Sequence, residues 1–241
     1  MKHIGILAHS AEGASLCFLT AAHEKAEGLA EHMHPEITMS MVAMGEAMPL
    51  WETDDFRAIR KIFMHTAEQL ASAGADFFVL PDNTAHFALE AEGDDFPLPA
   101  LHIADVVAEE ARTRGFKTIG VLGTKWTMEG TVYADALGRK GLKRIVPEAE
   151  DRAFINESIF DELCHGIFSD ETRAAYVAII DKLKAQGCDA VVLGCTEIPI
   201  LISPNDSSLP VLDSTRALGR AAVKVAIGEM AMPIWRGGPI A

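Results

Sequence analysis

The chain has 241 residues, room for one large domain or two modest ones, and its 49% hydrophobic and 23% charged content is that of an ordinary globular protein, which excludes disordered and fibrous classes. Acidic residues outnumber basic ones for a formal net charge of −14, so the overall field repels polyanions and no nucleic-acid partner is expected. Four cysteines, Cys17, Cys164, Cys188 and Cys195, lie far apart with no CxxC pair. That dispersal argues against a zinc ribbon or a disulfide framework, and for a cytoplasmic protein with reduced thiols.

In chain order, Ile4-Gly5-Ile6-Leu7 is apolar but turns polar at His9 and Ser10. It is too short for a signal segment and reads as a first buried strand. Residues 57–73 alternate apolar and polar at helical spacing until Gly74, and the apolar run 74–80 follows as a second strand. Leu98-Pro99-Ala100-Leu101 is a third, and a helix over 103–114 ends at Gly115. The series then begins again. Ile119-Gly120-Val121-Leu122 repeats the first block, 187–193 repeats the second after a helix over 172–186, and Leu209-Pro210-Val211-Leu212 repeats the third, each 111 to 115 residues after its counterpart. No stretch approaches the roughly 18 apolar residues of a membrane span, so no membrane partner is expected.

Continuous apolar strands separated by helices predict an α/β fold of two pseudo-symmetric halves, each a parallel sheet flanked by helices. Residues 1–98 plus 210–235 are expected to form one half-domain, and 99–209 the other. Ligands of such sheets bind beyond the carboxyl ends of the strands. Chemistry is therefore sought just after each repeated strand, and the site is expected in a cleft between the halves.

Two residues stand out there. Asp82 follows the second strand and Cys195 follows its repeat, so a carboxylate occupies the position that carries a thiol in the other half. A thiol that opens a helix feels the positive end of the helix, and a lowered pKa is expected for Cys195. Asn83, Thr84 and Thr196 supply donors suited to a substrate carboxylate, with Ser10, Thr124 and Thr127 completing the set from the other strand ends. Simple helix capping is the rival account for each. His9, His86 and His102 also lie near strand ends, but no spacing joins them as a metal site, and they read as hydrogen-bonded structural histidines. His32 and His34 read as solvated. No metal or cofactor is expected. Neither phosphate-loop motif is present, nor a GxSxG elbow, so nucleotide binding and serine hydrolysis have no support.

With these residues in view, the sequence resembles the aspartate/glutamate racemase superfamily over essentially the whole chain. Leu193-Gly194-Cys195-Thr196-Glu197-Ile198 is similar to the family's second catalytic segment, and Asp82-Asn83-Thr84-Ala85-His86 resembles its Cys-Asn-Thr-Ala-His with Asp for Cys. Segments at Gly123-Thr124 through Thr127-Met128, 159–164 and Asp213-Ser214-Thr215 also resemble family segments. The resemblance implies a site between two halves, no pyridoxal phosphate and commonly a homodimer. It also implies proton removal from an amino acid or related carboxylate on one face and proton return on the other.

The chain departs from the family pattern at three places. The glycine-rich first loop is replaced by Ala8-His9-Ser10-Ala11-Glu12-Gly13, and Trp51 and Glu52 stand where many aspartate racemases carry an arginine, with Arg57 nearby but expected to be solvated. The third is the unequal pair, since free Asp has a pKa of ~3.9 and free Cys ~8.5. Racemisation requires Asp82 to hold a proton part of the time, through burial or a neighbouring thiolate. If Asp82 only orients the substrate, the alternative is a lyase, decarboxylase or cis-trans isomerase with Cys195 as sole proton donor.

Overall fold

The structure is a computed structural model that describes residues 1–25 and 29–240. The chain divides into two compact units, Met1–Ile103 with Leu218–Ala241, and Ala104–Ala217.

The first unit contains β1 (Ile4–Ala8), α1 (Ala11–His23), β2 (Ile37–Met41), α2 (Met44–Glu52), α3 (Phe56–Ser72), β3 (Phe77–Val79), α4 (His86–Glu90) and β4 (Ala100–Leu101). Helix α5 (Ile103–Thr113) leads into the second unit, which contains β5 (Thr118–Gly123), α6 (Lys125–Glu129), α7 (Thr131–Arg139), β6 (Lys143–Ile145) and α8 (Ala149–Asp161). A 3-10 turn at Leu163–His165 precedes α9 (Asp170–Ala185), β7 (Ala190–Gly194), α10 (Ile198–Leu201) and β8 (Val211–Asp213). Helix α11 (Ser214–Ile227) carries the chain back into the first unit.

Each unit holds one four-stranded sheet, ordered β2-β1-β3-β4 in the first and β6-β5-β7-β8 in the second, and every pairing is parallel. The expected α/β class and the internal repeat are both present. Of the strands found by the repeat, β1, β3, β4 and β7 are buried throughout. The two strands that reasoning did not find, β2 and β6, lie at the sheet edges, and neither has a buried residue.

Helix α3 shows why the helical spacing was informative. Ile59, Phe63, Ala67 and Leu70 recur every three or four residues and are buried as one face. Burying a Phe or Leu side chain contributes about 1.5–3 kcal/mol. The helix ends at Gly74 and α9 ends at Gly187, both with φ of +92°, a left-handed turn that side-chain-bearing residues rarely adopt. The repeat extends to the hydrogen bonds after these turns. Asp76 accepts the main-chain N–H of His3 at 2.7 Å, and Asp189 accepts those of Lys117 and Thr118 at 2.8 and 3.1 Å, so each carboxylate ties the start of one central strand to its neighbour.

At the other end of the second sheet, Gly123 and Gly194 are paired in register. A methyl group at Gly194 would lie 2.6 Å from the carbonyl oxygen of Leu122, and one at Gly123 would lie 2.7 Å from that of Gly194. Backbone cannot yield as a side-chain tip can, so Gly194→Ala is expected to cost on the order of 1–3 kcal/mol. Gly138→Ala is the control, because nothing lies within 4 Å of a methyl group there. Thermal denaturation should show a lower Tm for the first and no loss for the second. Equal melting of Gly194→Ala and wild type would contradict the close approach.

Candidate active site

Both residues singled out by the repeat stand beyond the carboxyl ends of central strands. In the first unit Ile6 pairs with Val79, and His9 and Asp82 each follow that pair by three residues. Equal advance along parallel strands brings the two side chains to one level. The His9 Nδ1 lies 2.7 Å from Asp82 Oδ2, and the other carboxylate oxygen accepts the N–H of Ala85 at 3.1 Å. Asp82 is 16% exposed and His9 3%.

Burial by itself would push the Asp82 carboxyl up, but the hydrogen bond to His9, backed by the Ala85 N–H, holds it below its usual value. His86 donates from Nδ1 to the main-chain oxygen of Asp82 at 2.8 Å and accepts the Ile103 N–H on Nε2 at 3.1 Å, which anchors the loop from beneath. Burial, reinforced by neighbouring His102, lowers the pKa of His86 to about 3, so it is a neutral anchor. His102 in turn meets Glu90 at 2.9 Å. The structural reading of His86 and His102 therefore fits. That of His9 was incomplete, because its one hydrogen bond goes to the candidate acid/base group.

In the second unit the in-register Gly123–Gly194 pair is followed at once by Thr124 and Cys195. The Cys195 Sγ donates to Glu197 Oε2 at 2.9 Å. Burial first, then the charge of Glu197 and this hydrogen bond, push the thiol well above its ordinary value. The expected depressed pKa does not hold. The helix that follows, α10, has only four residues, and a carboxylate stands two residues from the thiol. A nearby full charge outweighs the partial charge at a helix end. Cys195 is thus a protonated thiol at neutral pH. Glu197→Gln removes the opposing charge and should move thiolate formation, followed by alkylation rate against pH, to lower pH. An unchanged midpoint would show that Glu197 does not set the thiol's state.

The remaining predicted residues divide between the units. Asn83 (buried) and Thr84 (half-buried) follow Asp82 directly, and Ser10 (buried) follows His9, all in the first unit. Thr196, Thr124 and Thr127 are buried in the second. Ser10 caps α1 by accepting the Gly13 N–H at 3.1 Å, and Thr124 caps α6 by accepting that of Thr127 at 3.4 Å, so the capping account describes both. Thr124 and Thr127 hydroxyls are 3.3 Å apart. Arg57 is exposed and pairs with Glu92, as expected of a solvated helix residue, while Trp51 is buried near the His9 ring. His32 is fully in solvent and His34 exposed. Cys17 and Cys188 are buried packing residues, and Cys164 is half-buried beside the second unit's core. Among the described residues, no group of three His, Cys, Asp or Glu side chains is arranged to hold a metal. No described helix is long and apolar enough to cross a membrane.

Two α/β units, each with a parallel sheet of matching strand order and a titratable side chain, Asp82 or Cys195, after its third strand in chain order, define the protein class. Residues 6–222 match the Asp/Glu/Hydantoin racemase family, and the chain belongs to it. The broad specificity amino-acid racemase RacX of Bacillus subtilis is 26% identical over 70% of this chain and 73% of its own length. Among solved structures, an Asp/Glu racemase candidate from Yersinia pestis is 32% identical over 94% of this chain and all of its own, with a TM-score of 0.81. An aspartate racemase homologue from Pyrococcus horikoshii is 29% identical over the same shares, with a TM-score of 0.77.

Proposed function

We propose that this protein is a cofactor-independent amino-acid racemase or epimerase in which Asp82 and Cys195 work on opposite faces of one α-carbon. The observation that carries this reading is the unlike hydrogen bonding of the two groups, donors on Asp82 and a carboxylate acceptor on Cys195, which favours opposite protonation. Asp82 is held as a carboxylate by His9 and the Ala85 N–H, and Cys195 is held as a thiol by burial and Glu197. One accepts a proton in the state in which the other donates.

In the forward half-reaction the α-C–H bond breaks, the proton passes to Asp82 and the electron pair delocalises into the substrate carboxylate. The S–H bond of Cys195 then breaks, and its proton adds to the other face of the planar carbon. The pair is left as carboxylic acid and thiolate, which is the state required to run the opposite enantiomer. Asn83, Thr84 and Thr196, with Ser10, Thr124 and Thr127, form the proposed donor set for the substrate carboxylate, where hydrogen bonds strengthen as charge develops. A cytoplasmic location and a homodimer belong to the same reading.

The test is incubation of the purified, chelator-treated protein with single amino-acid enantiomers in deuterated water. The reading predicts α-deuterium incorporation together with loss of optical activity. Absence of both across a broad panel would remove it. The protonated thiol of Cys195 also suits a second reading, a lyase, decarboxylase or cis-trans isomerase that uses Cys195 alone as donor. That enzyme would form product without exchange into recovered substrate.

A further inference from the structure

We propose that His9 is a positioning residue for Asp82, holding the carboxylate through Nδ1 in one orientation and in its proton-accepting form. The inference rests on the role given to Asp82 above.

Three observations meet at this side chain. His9 Nδ1 is 2.7 Å from Asp82 Oδ2, the shorter of the two bonds to that carboxylate. The other ring nitrogen, Nε2, is buried and has no hydrogen-bond partner. The ring is packed edge-on against Phe63 of α3 at 5.2 Å between centroids, with Trp51 of α2 at 6.4 Å. A ring needed only for packing would be better as a phenyl, because a buried nitrogen without a partner is unfavourable. The nitrogen that is satisfied faces Asp82. The tautomer that fits this network carries its proton on Nδ1, where the carboxylate accepts it.

His9 is also the neighbour able to govern Asp82. The titratable groups bearing on this carboxylate are His9 from the end of β1 and His86 from α4, and His86 is kept neutral by its burial. The elements packed on the His9 ring, α2 and α3, present Trp51 and Phe63 to it, neither of which titrates. Burial alone favours the protonated carboxylic acid. Without the donor at Nδ1, Asp82 would be left with the Ala85 N–H and main-chain anchoring through His86.

The experiment follows the Asp82 carboxyl by carbon-13 NMR in the full-length protein labelled at aspartate, with the Asp82→Asn spectrum assigning the signal. In wild type Asp82 should remain ionised to below the ordinary ~3.9 of a free carboxyl. In His9→Phe, which keeps the ring's packing and removes the donor, its midpoint should rise by about one pH unit or more. His9→Asn, whose side-chain N–H can stand where Nδ1–H stood, should return it toward wild type. In the exchange assay His9→Phe should lower kcat about tenfold or more with little change in KM, and His9→Asn should recover most of that loss. Should His9→Phe fold poorly, His9→Leu makes the same comparison. An Asp82 midpoint unmoved by loss of the donor, or His9→Asn behaving as His9→Phe does, would overturn the proposal. The outcome is separable from the activity reading, because the NMR titration needs no substrate. Full activity in Asp82→Asn would sink the role of Asp82 while leaving the titration result standing.

Discussion

Cys195→Ala is expected to abolish racemisation, lowering its rate by at least the roughly 10²–10⁴-fold that a positioned acid or base contributes, while α-deuterium exchange survives for one enantiomer only. The prediction follows from the separate origins of the two groups. Asp82 belongs to the first unit and is held by His9 and Ala85 of that unit, so loss of the thiol leaves its charge and orientation intact. It can still remove and return a proton on its own face. Inversion needs a donor on the other face, and the variant has none. Cys195 is half-buried at the margin of the second unit's core, and its substitution by the smaller alanine removes little packing, so the variant should fold. Proton NMR of each enantiomer in deuterated water, read beside polarimetry, measures exchange and inversion separately. Racemisation persisting near the wild-type rate would exclude Cys195 as the donor. Loss of exchange for both enantiomers would mean that Asp82 does not act alone as a base.

Asp82→Asn should give the complementary defect, a fall of similar size with residual exchange confined to the opposite enantiomer. Its pH dependence is a sharper mark. The asparagine oxygen can still accept the Ala85 N–H, so the loop is retained, but the side chain takes no proton at working pH. Exchange then depends on Cys195 as thiolate. Burial and Glu197 hold that group protonated well above its ordinary value, so the thiolate fraction, and with it the residual exchange, should climb as pH rises through the alkaline range. A residual rate that is flat or falls with rising pH would show that the remaining exchange does not come from the thiolate. Wild type, by contrast, begins with Asp82 already ionised and should be active at neutral pH.

The contrast between the two loops marks how far the sequence could be read. Three repeated blocks found β1, β3 and β4 and their counterparts β5, β7 and β8, because strands packed into the core are apolar runs and therefore resemble one another. Strands β2 and β6 escaped because, unlike the other edge strands β4 and β8, they bury no residue and so carry no apolar run. The run Ile37-Thr38-Met39-Ser40-Met41 mixes polar residues with methionines that remain largely exposed, and Lys143-Arg144-Ile145 has hardly any apolar character. The positions of Asp82 and Cys195 were legible for the same reason as the strands: each directly follows one.

Their protonation states were not legible in the same degree. Cys195 was expected to ionise readily from its place at a helix start, yet Glu197, two residues further on, turns its carboxylate onto the thiol. The residue was visible in the sequence, but its rotamer was not. His9 was passed over for a different reason. It is 73 residues from Asp82, and only the β1–β3 register, with Ile6 opposite Val79, brings them to one level. That signal was within reach once the two strands were taken as neighbours. At the equivalent level of the second sheet stands Thr124, an uncharged cap. The duplicated frame thus carries unlike neighbours, a hydrogen-bond donor for the carboxylate and an anion for the thiol, and these drive the two groups into opposite states.

A crystal structure with a non-reacting amino-acid analogue bound tests the central claim most directly. It should show an Asp82 carboxylate oxygen and the Cys195 sulfur on opposite sides of the analogue's α-carbon, each about 3–4 Å from it, the separation from which proton transfer proceeds. An analogue touching one of these groups while the other lies turned away in packing or in a separate cavity would contradict it.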